Sequence, residues 1–244
     1  MSGYRTRISA LALVCVLGMS LTISLDAQAT ETIVAHEATY KLRVSFLGGS
    51  MKTVVAETEN GFVAKSVIKA TGFARLLMHG TIEESSEFIV GPMGVQPIIY
   101  SSSNTLLKKD KFMIFEFDWA NDVVSGKINN DNFVLDFEGE IYDRVSIQYE
   151  LMHKLLNGVS SAGYALLDGD KLKQLQVTNI GMKSIKTPFG KFEAVGIQHQ
   201  AQDSTRVSTL WCAPELGYLP VLMEQHRNGK RRVRAVLTNY TVSK

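Results

Sequence analysis

A chain of 244 residues with 26 Lys plus Arg against 24 Asp plus Glu and 45% hydrophobic residues is long enough for one domain with a real core. Its charge is too evenly balanced for the concentrated basic surface that a general grip on nucleic acid requires. Two cysteines, one of them in an N-terminal apolar run, exclude a disulfide-stapled scaffold.

The chain opens with Arg5 and Arg7, an uncharged apolar run from Ile8 to Leu25, and Ala27-Gln28-Ala29. A basic start, an apolar stretch and a small-x-small step form a secretory signal with cleavage after Ala29. The competing reading, a membrane anchor, has nearly the length to span a bilayer but does not account for the Ala-x-Ala step. Cys15 follows Val14 rather than the small residue that precedes a lipidated cysteine, and it leaves with the signal. The sequence therefore predicts a periplasmic protein with one domain over 30–244 and no stable transmembrane span after processing. Removing Arg5, Arg7 and Asp26 leaves 24 basic and 23 acidic residues. Cys212 is then the only cysteine, so no intramolecular disulfide can form.

From Glu37 to Phe46 the residues alternate, with Ala38, Tyr40, Leu42, Val44 and Phe46 on one face, which predicts a half-buried strand ended by Gly48-Gly49. Met51 to Thr58 and Phe62 to Thr71 flank Asn60-Gly61, a strong hairpin signal. Gly72 to His79 holds Phe73, Leu76 and Leu77, a helical turn or two at a sheet edge. Strands follow over Thr81–Val90, Pro97–Ser102, Lys111–Trp119 and Val123–Ile128, with Phe133, Leu135 and Phe137 alternating again. Asp143 to Leu156 departs from this period. Val145, Tyr149, Met152 and Leu156 recur at helical spacing, Asp143 can cap the start and Gly158 can end it. After it, strands are predicted near Gly163–Leu167, Lys171–Thr178, Met182–Thr187, Phe192–Gln200, Thr205–Cys212, Leu219–His226 and Lys230–Val242. No repeat of fixed period is visible, so propellers and solenoids are not supported. The fold class is mostly β, an antiparallel meander forming an incomplete barrel or spiral with one main helix at about 143–156.

Chemistry is sparse in this pattern. The histidines His36, His79, His153, His199 and His226 are scattered singly, with no metal-ligand spacing; only His199 and His226 fall on strands that can be neighbours. No Gly-x-Ser-x-Gly elbow and no phosphate-cradling Gly-rich loop is present. Cys212 has no base beside it in sequence and reads as a small buried residue. Asp136, Glu138 and Glu140 alternate with apolar residues as the wet face of a strand, and Asp168-Gly169-Asp170 is a turn, too short for a calcium loop. Asp118 reads as the close of a strand, Asp143 as a helix cap and Arg144 as the partner of a nearby acid; the competing reading for all three is a polar cluster at a cavity mouth. The cluster Arg227, Lys230, Arg231, Arg232 and Arg234 reads as the solvated end of a hairpin, against a lipid-phosphate or nucleic-acid patch. No catalytic residue, metal or cofactor is expected, and the chain is read as not an enzyme.

Met51, Met78, Met93, Met113, Met152, Met182 and Met223 remain after processing. Methionine adapts to irregular apolar surfaces, so such residues either line a cavity for a hydrophobic ligand or fill an ordinary core. The ligand-lining candidates are Met113, Phe115, Trp119, Met152 and Trp211, with Val134 or Leu135 as inward positions where a large residue would obstruct the interior.

Phe117-Asp118-Trp119, Asp143-Arg144 opening a helix, Thr187-Pro188-Phe189-Gly190, and Trp211 followed by Leu219-Pro220-Val221 and a final hairpin come in an order that resembles a family of proteobacterial periplasmic proteins, domain of unknown function 3108. The resemblance spans nearly all of the mature chain and implies compartment and fold, since that family carries no established activity. The ending from Trp211 to Tyr240 is also similar in architecture to the lipoprotein-localisation carriers, in which an incomplete antiparallel barrel over helices holds acyl chains. Fold alone does not assign function. The expectation is a non-enzymatic periplasmic cell-envelope protein that binds a lipid or acyl chain in a half-open barrel. The alternative is a scaffolding module that binds an envelope protein through a sheet edge.

Overall fold

A computed structural model describes residues 33–106, 108–158, 162–202 and 204–243. The segment read as an export signal, 1–29, lies outside these residues. The first half of the chain forms β1 (His36–Val44), β2 (Leu47–Thr58), β3 (Gly61–Ala70), the short helix α1 (Ala74–Leu77), β4 (Thr81–Gly91), β5 (Gly94–Asn104), β6 (Lys111–Asp118), β7 (Val123–Ile128) and β8 (Asp131–Asp136). Then come β9 (Ile141–Tyr142), helix α2 (Ser146–Leu156), β10 (Ala162–Leu167), β11 (Leu172–Lys186), β12 (Lys191–Ala201), β13 (Arg206–Ala213), β14 (Leu219–Arg227) and β15 (Lys230–Val242).

The fifteen strands make one sheet in the order β8-β7-β6-β5-β4-β3-β2-β1-β15-β14-β13-β12-β11-β10-β9. Neighbours are antiparallel except β9 and β10. The sheet is thus two meanders joined through β1 and β15, and it is not closed into a barrel. This is the mostly β architecture that the alternation predicts. Period-2 burial is clear where one face meets the core: Met113, Phe115 and Phe117 are buried while Phe112, Ile114 and Glu116 are exposed. No helix among the described residues is long and apolar enough to cross a membrane.

The main helix starts at Ser146 rather than Asp143, because Asp143 stays outside as its cap. The Asp143 carboxylate accepts the Val145 and Ser146 backbone N–H groups at 2.7 and 2.8 Å. Gly158, at φ +79°, ends the helix in the left-handed conformation expected of it. Val145, Tyr149 and Met152 are buried as their spacing predicts, but Leu155 is buried where Leu156 was expected, and Glu150, Leu151 and His153 are buried too. The helix is enclosed by the curled sheet, so its polar positions are buried with the apolar ones.

Four further differences have local causes. Gly48-Gly49 does not end a strand: both residues lie in β2, opposite Arg43 and Leu42, and the reversal occurs at Ser45, at φ +53°. The strands expected over 171–178 and 182–187 are one strand, β11, bent by a register shift between Asn179 and Met182. Glu138 and Glu140 lie beyond β8, so they do not face water from a strand. His199 and His226 are on β12 and β14, which β13 separates.

Candidate ligand-binding cavity

In an antiparallel meander alternate connections lie at the same end of the sheet. The connections after β1, β3, β5, β12 and β14 therefore share one end, and those after β2, β4, β11 and β13 share the other. Helix α2 packs against β4 and β5 and runs toward the second end, where the Lys154 ammonium donates to the Met93 carbonyl at 3.0 Å. Tyr149 stacks on Phe88, which stacks on Phe62, and these rings fill that part of the interior.

Two buried carboxylates fix the helix in place. Asp143, besides capping, accepts the Ser86 hydroxyl of β4 at 2.6 Å, and burial pushes its pKa up against those hydrogen bonds. Glu150 accepts the Val95 backbone N–H of β5 at 2.8 Å and has the Lys154 ammonium at 3.2 Å. Arg144 follows the cap and pairs with Glu84 at 2.6 Å; the Tyr100 hydroxyl donates to the same carboxylate oxygen at 2.6 Å. Asp118 holds its own turn by accepting the Asn121 amide at 2.7 Å and the backbone N–H groups of Ala120 and Asn121. The structural readings of Asp118, Asp143 and Arg144 thus match their contacts.

Toward the first end α2 does not line the interior among the described residues. There the sheet from β4 through β1 and β15 to β12 curls around an apolar cavity of about 510 Å³, within the range of roughly 300–1,000 Å³ common for ligand sites. Leu42, Val44, Met51 and Ile68 line one side, and Leu210, Met223, Val233 and Ala235 the other. Met78 and Leu106 close in from the connections. No residue of α2 is among its described lining residues. Gly48 and Gly49 also line it, where neighbouring strands approach closely. A Cβ at Gly49 would lie 3.1 Å from the Lys69 carbonyl and 3.4 Å from the Leu42 side chain. The polar residues of the lining are Lys69, Asn104, His199, Ser208, Glu224 and Gln225. Burial lowers the His199 pKa, so the ring is neutral at pH 7. Between Val44 and Leu47, which line the cavity, Phe46 is 82% exposed. Val44 and Phe46 thus continue the buried stripe of β1 by period, but the stripe has passed the end of the packed core.

None of the five sequence candidates lines this cavity. Met113 and Phe115 are buried in packed core, Phe115 against Tyr100 and Phe133. The Trp119 indole donates to the Pro97 carbonyl at 2.7 Å and meets Phe137 edge-on. Met152 is buried on the enclosed helix. Trp211 lies across Gly196, with the Lys183 ammonium 5.5 Å from its ring. Val134 is 70% exposed and Leu135 half-buried, and neither reaches the cavity; Val134 is thus not an inward position. Met51, Met78 and Met223, of the methionines singled out by composition, do line it. The missed signal was Gly48-Gly49: glycine inside a strand marks a close approach of backbone or ligand.

Among the described residues no three of His, Cys, Asp and Glu gather as a metal site. Cys212 is a free, fully buried thiol whose pKa burial pushes up to about 12.

Residues 36–236 match the model of a family described as "Protein of unknown function (DUF3108)". Among solved structures the chain is similar to the crystal structure of a β-barrel-like protein of domain of unknown function DUF1849 from Brucella abortus. The TM-score is 0.59 at 13% identity, over 88% of this chain and 100% of that one. At that identity the likeness concerns the fold alone. No curated protein matches the chain.

Proposed function

This chain belongs to the DUF3108 family of proteins of unknown function, and from that starting point we propose that it is a non-enzymatic cell-envelope protein of the periplasm that binds a lipid-like ligand in its half-open barrel. The observation that carries the reading is the 510 Å³ apolar cavity that the curled sheet leaves at the end away from the enclosed helix. An acyl chain needs apolar walls and little else, because its transfer from water is favourable by about 0.8 kcal/mol per buried methylene. The scarcity of polar groups along the walls suits such a ligand better than a sugar or nucleotide, whose hydroxyls and phosphates need partners. The basic start, apolar run and Ala27-Gln28-Ala29 support export.

The test is native mass spectrometry of gently purified protein together with displacement of a fluorescent fatty acid. A lipid-sized adduct and a displaceable probe are expected; protein that carries no adduct and binds no probe would end the reading. N-terminal sequencing of the periplasmic fraction should begin at Thr30, and full-length chain in the membrane pellet would overturn the export assignment.

One observation favours the alternative, a scaffold for an envelope protein. Strand β8 pairs only with β7 among the described strands, and its Val134 is exposed, so a partner strand can add at that edge. A protein that binds no lipid but is protected from hydrogen exchange along 131–136 by an envelope protein would support it.

A further inference from the structure

We propose that the ligand is a single-chain amphiphile with an anionic head, its chain in the cavity and its head held by Arg206, Arg227 and Arg232. This rests on reading the cavity as a lipid site and adds the charge of what it takes.

The cavity adjoins a polar groove at the same end, with one lining residue shared between them. Gln225 borders both, and the other residues of the groove are Arg206, Arg227, Asn228 and Arg232. His199 and Ser208 also border the cavity and a neighbouring groove that contains Arg206 and Arg227. A chain seated against Met223 and Val233 therefore ends beside these guanidinium groups.

The arginines are crowded together without an acid to pair with among the described residues. Arg206 on β13 is the direct cross-strand partner of Arg227 on β14, and Arg227 is the direct partner of Lys230 on β15. Three cations thus stand in one row across three strands, and like charges directly opposed destabilise a sheet. Arg206, Arg227 and Arg232 form no ion pair with an acid among the described residues, whereas Arg231 and Arg234 of the same hairpin reach Glu224 at 2.9 and 3.6 Å. Asp168, which borders the neighbouring groove, is already engaged by Lys173 and lies 3.9 Å from Arg144. Arg232 is the residue that the register shift between Gln225 and His226 leaves without a partner on β14. Bulges re-aim side chains, and this one puts Arg232 on the groove.

An oxyanion fits this arrangement on both counts. Its charge relieves the row, and guanidinium forks pair with the two oxygens of a carboxylate or the three of a phosphate. The basic cluster that reads in sequence as a solvated hairpin end thus divides: Arg231 and Arg234 pair with Glu224, and Arg227 and Arg232 line the groove beside the cavity.

The experiment is isothermal titration of the full chain with dodecanoate, dodecyl phosphate, dodecanol and dodecyltrimethylammonium, each below its micelle threshold. For wild type the two anions should bind at least roughly tenfold more tightly than dodecanol, and the cation most weakly. Which anion binds better distinguishes a fatty-acid source from a phospholipid source. The Arg206→Gln, Arg227→Gln double variant should lose roughly tenfold or more for the anions, keep its dodecanol affinity, and show a raised Tm as the opposed charges are removed. Equal affinities for anion and alcohol, or a double variant that binds all four as wild type does, would overturn the head-group assignment and leave the cavity reading intact. If none of the four binds, both readings fail.

Discussion

Glu150 occupies the space that a side chain at residue 94 would need. A Cβ on Gly94 would lie 2.5 Å from the Glu150 Oε2 atom, and Gly94 also has a φ of +131°, which L residues rarely adopt. The same oxygen accepts the Val95 N–H, so the glycine, the carboxylate and the start of β5 form one joint between helix and sheet. Gly94→Ala should cost about 2–4 kcal/mol, from backbone strain and the displaced carboxylate together. Denaturant unfolding measures it, and an unchanged midpoint would show that the joint is not rigid.

Asp143 gives a pH signature with a definite sign. Burial raises its folded pKa above the ordinary value of 3.8, so in the window between the two values the folded state binds more protons than the unfolded. Its contribution to stability is then fully present below the unfolded value and lost as pH rises through the folded one. Asp143→Asn keeps an oxygen for the Val145 and Ser146 N–H groups, and its stability should fall less than wild type between pH 4 and neutrality. Asp143→Ala removes the cap and strands the Ser86 hydroxyl, costing about 2–4 kcal/mol. Melting curves across pH would separate the three proteins, and parallel pH profiles for wild type and Asp143→Asn would refute the titration.

Met152, on the enclosed helix, is 3% exposed. Met152→Asp would put a carboxylate without a partner into that interior, at a cost on the order of several kcal/mol or more. The variant should be unfolded or degraded, and a wild-type Tm would show that the helix is not enclosed.

A cavity site and a core site are told apart by where substitution hurts. Met223→Trp and Ile68→Trp fill the cavity, and should abolish fatty-acid probe binding while lowering Tm by only a few degrees. Trp119→Phe removes an indole that donates to Pro97 and should lower stability while leaving probe affinity unchanged. The reverse pattern would move the site to the aromatic strand.

Cys212, buried and with its pKa pushed up to about 12, should resist a thiol reagent in the native state. Labelling should follow global unfolding in denaturant. Rapid labelling of native protein would mean that the β13–β14 region opens locally.

The strands and the helix were legible because each presents one periodic face to one environment. Tyr40, Phe115 and Tyr149 sit where period 2 or period 3.6 places them. The cavity was not legible, because it depends on which strands curl together beyond the end of the helix. Leu42 and Val44 carry the same sequence signal, yet Leu42 is buried and Val44 is open to the cavity end. Aromatic content pointed to Phe115 and Trp119, whose bulk is what makes that part of the interior solid. Glu150 was invisible for a different reason: nothing in a helical carboxylate's spacing reveals that a glycine on another element lies beneath it.

The pairing of β1 with β15 sets the order of assembly. The Thr238 hydroxyl donates to the Thr39 carbonyl across 199 positions of sequence, and the same seam carries backbone pairs from His36–Val242 to Val44–Val233. Folding rates fall as contacts become more distant in sequence, since the closure entropy is spent before the contacts form. During synthesis from the N-terminus the first meander can zip from β1 to β8 by local hairpins, but the outer edge of β1 has no mate until β15 has been made. For that interval the nascent protein presents a nine-residue edge able to recruit strands from other chains. Slow, concentration-sensitive refolding is thus the expected behaviour of a topology whose mid-sheet seam joins the first of the described strands to the last.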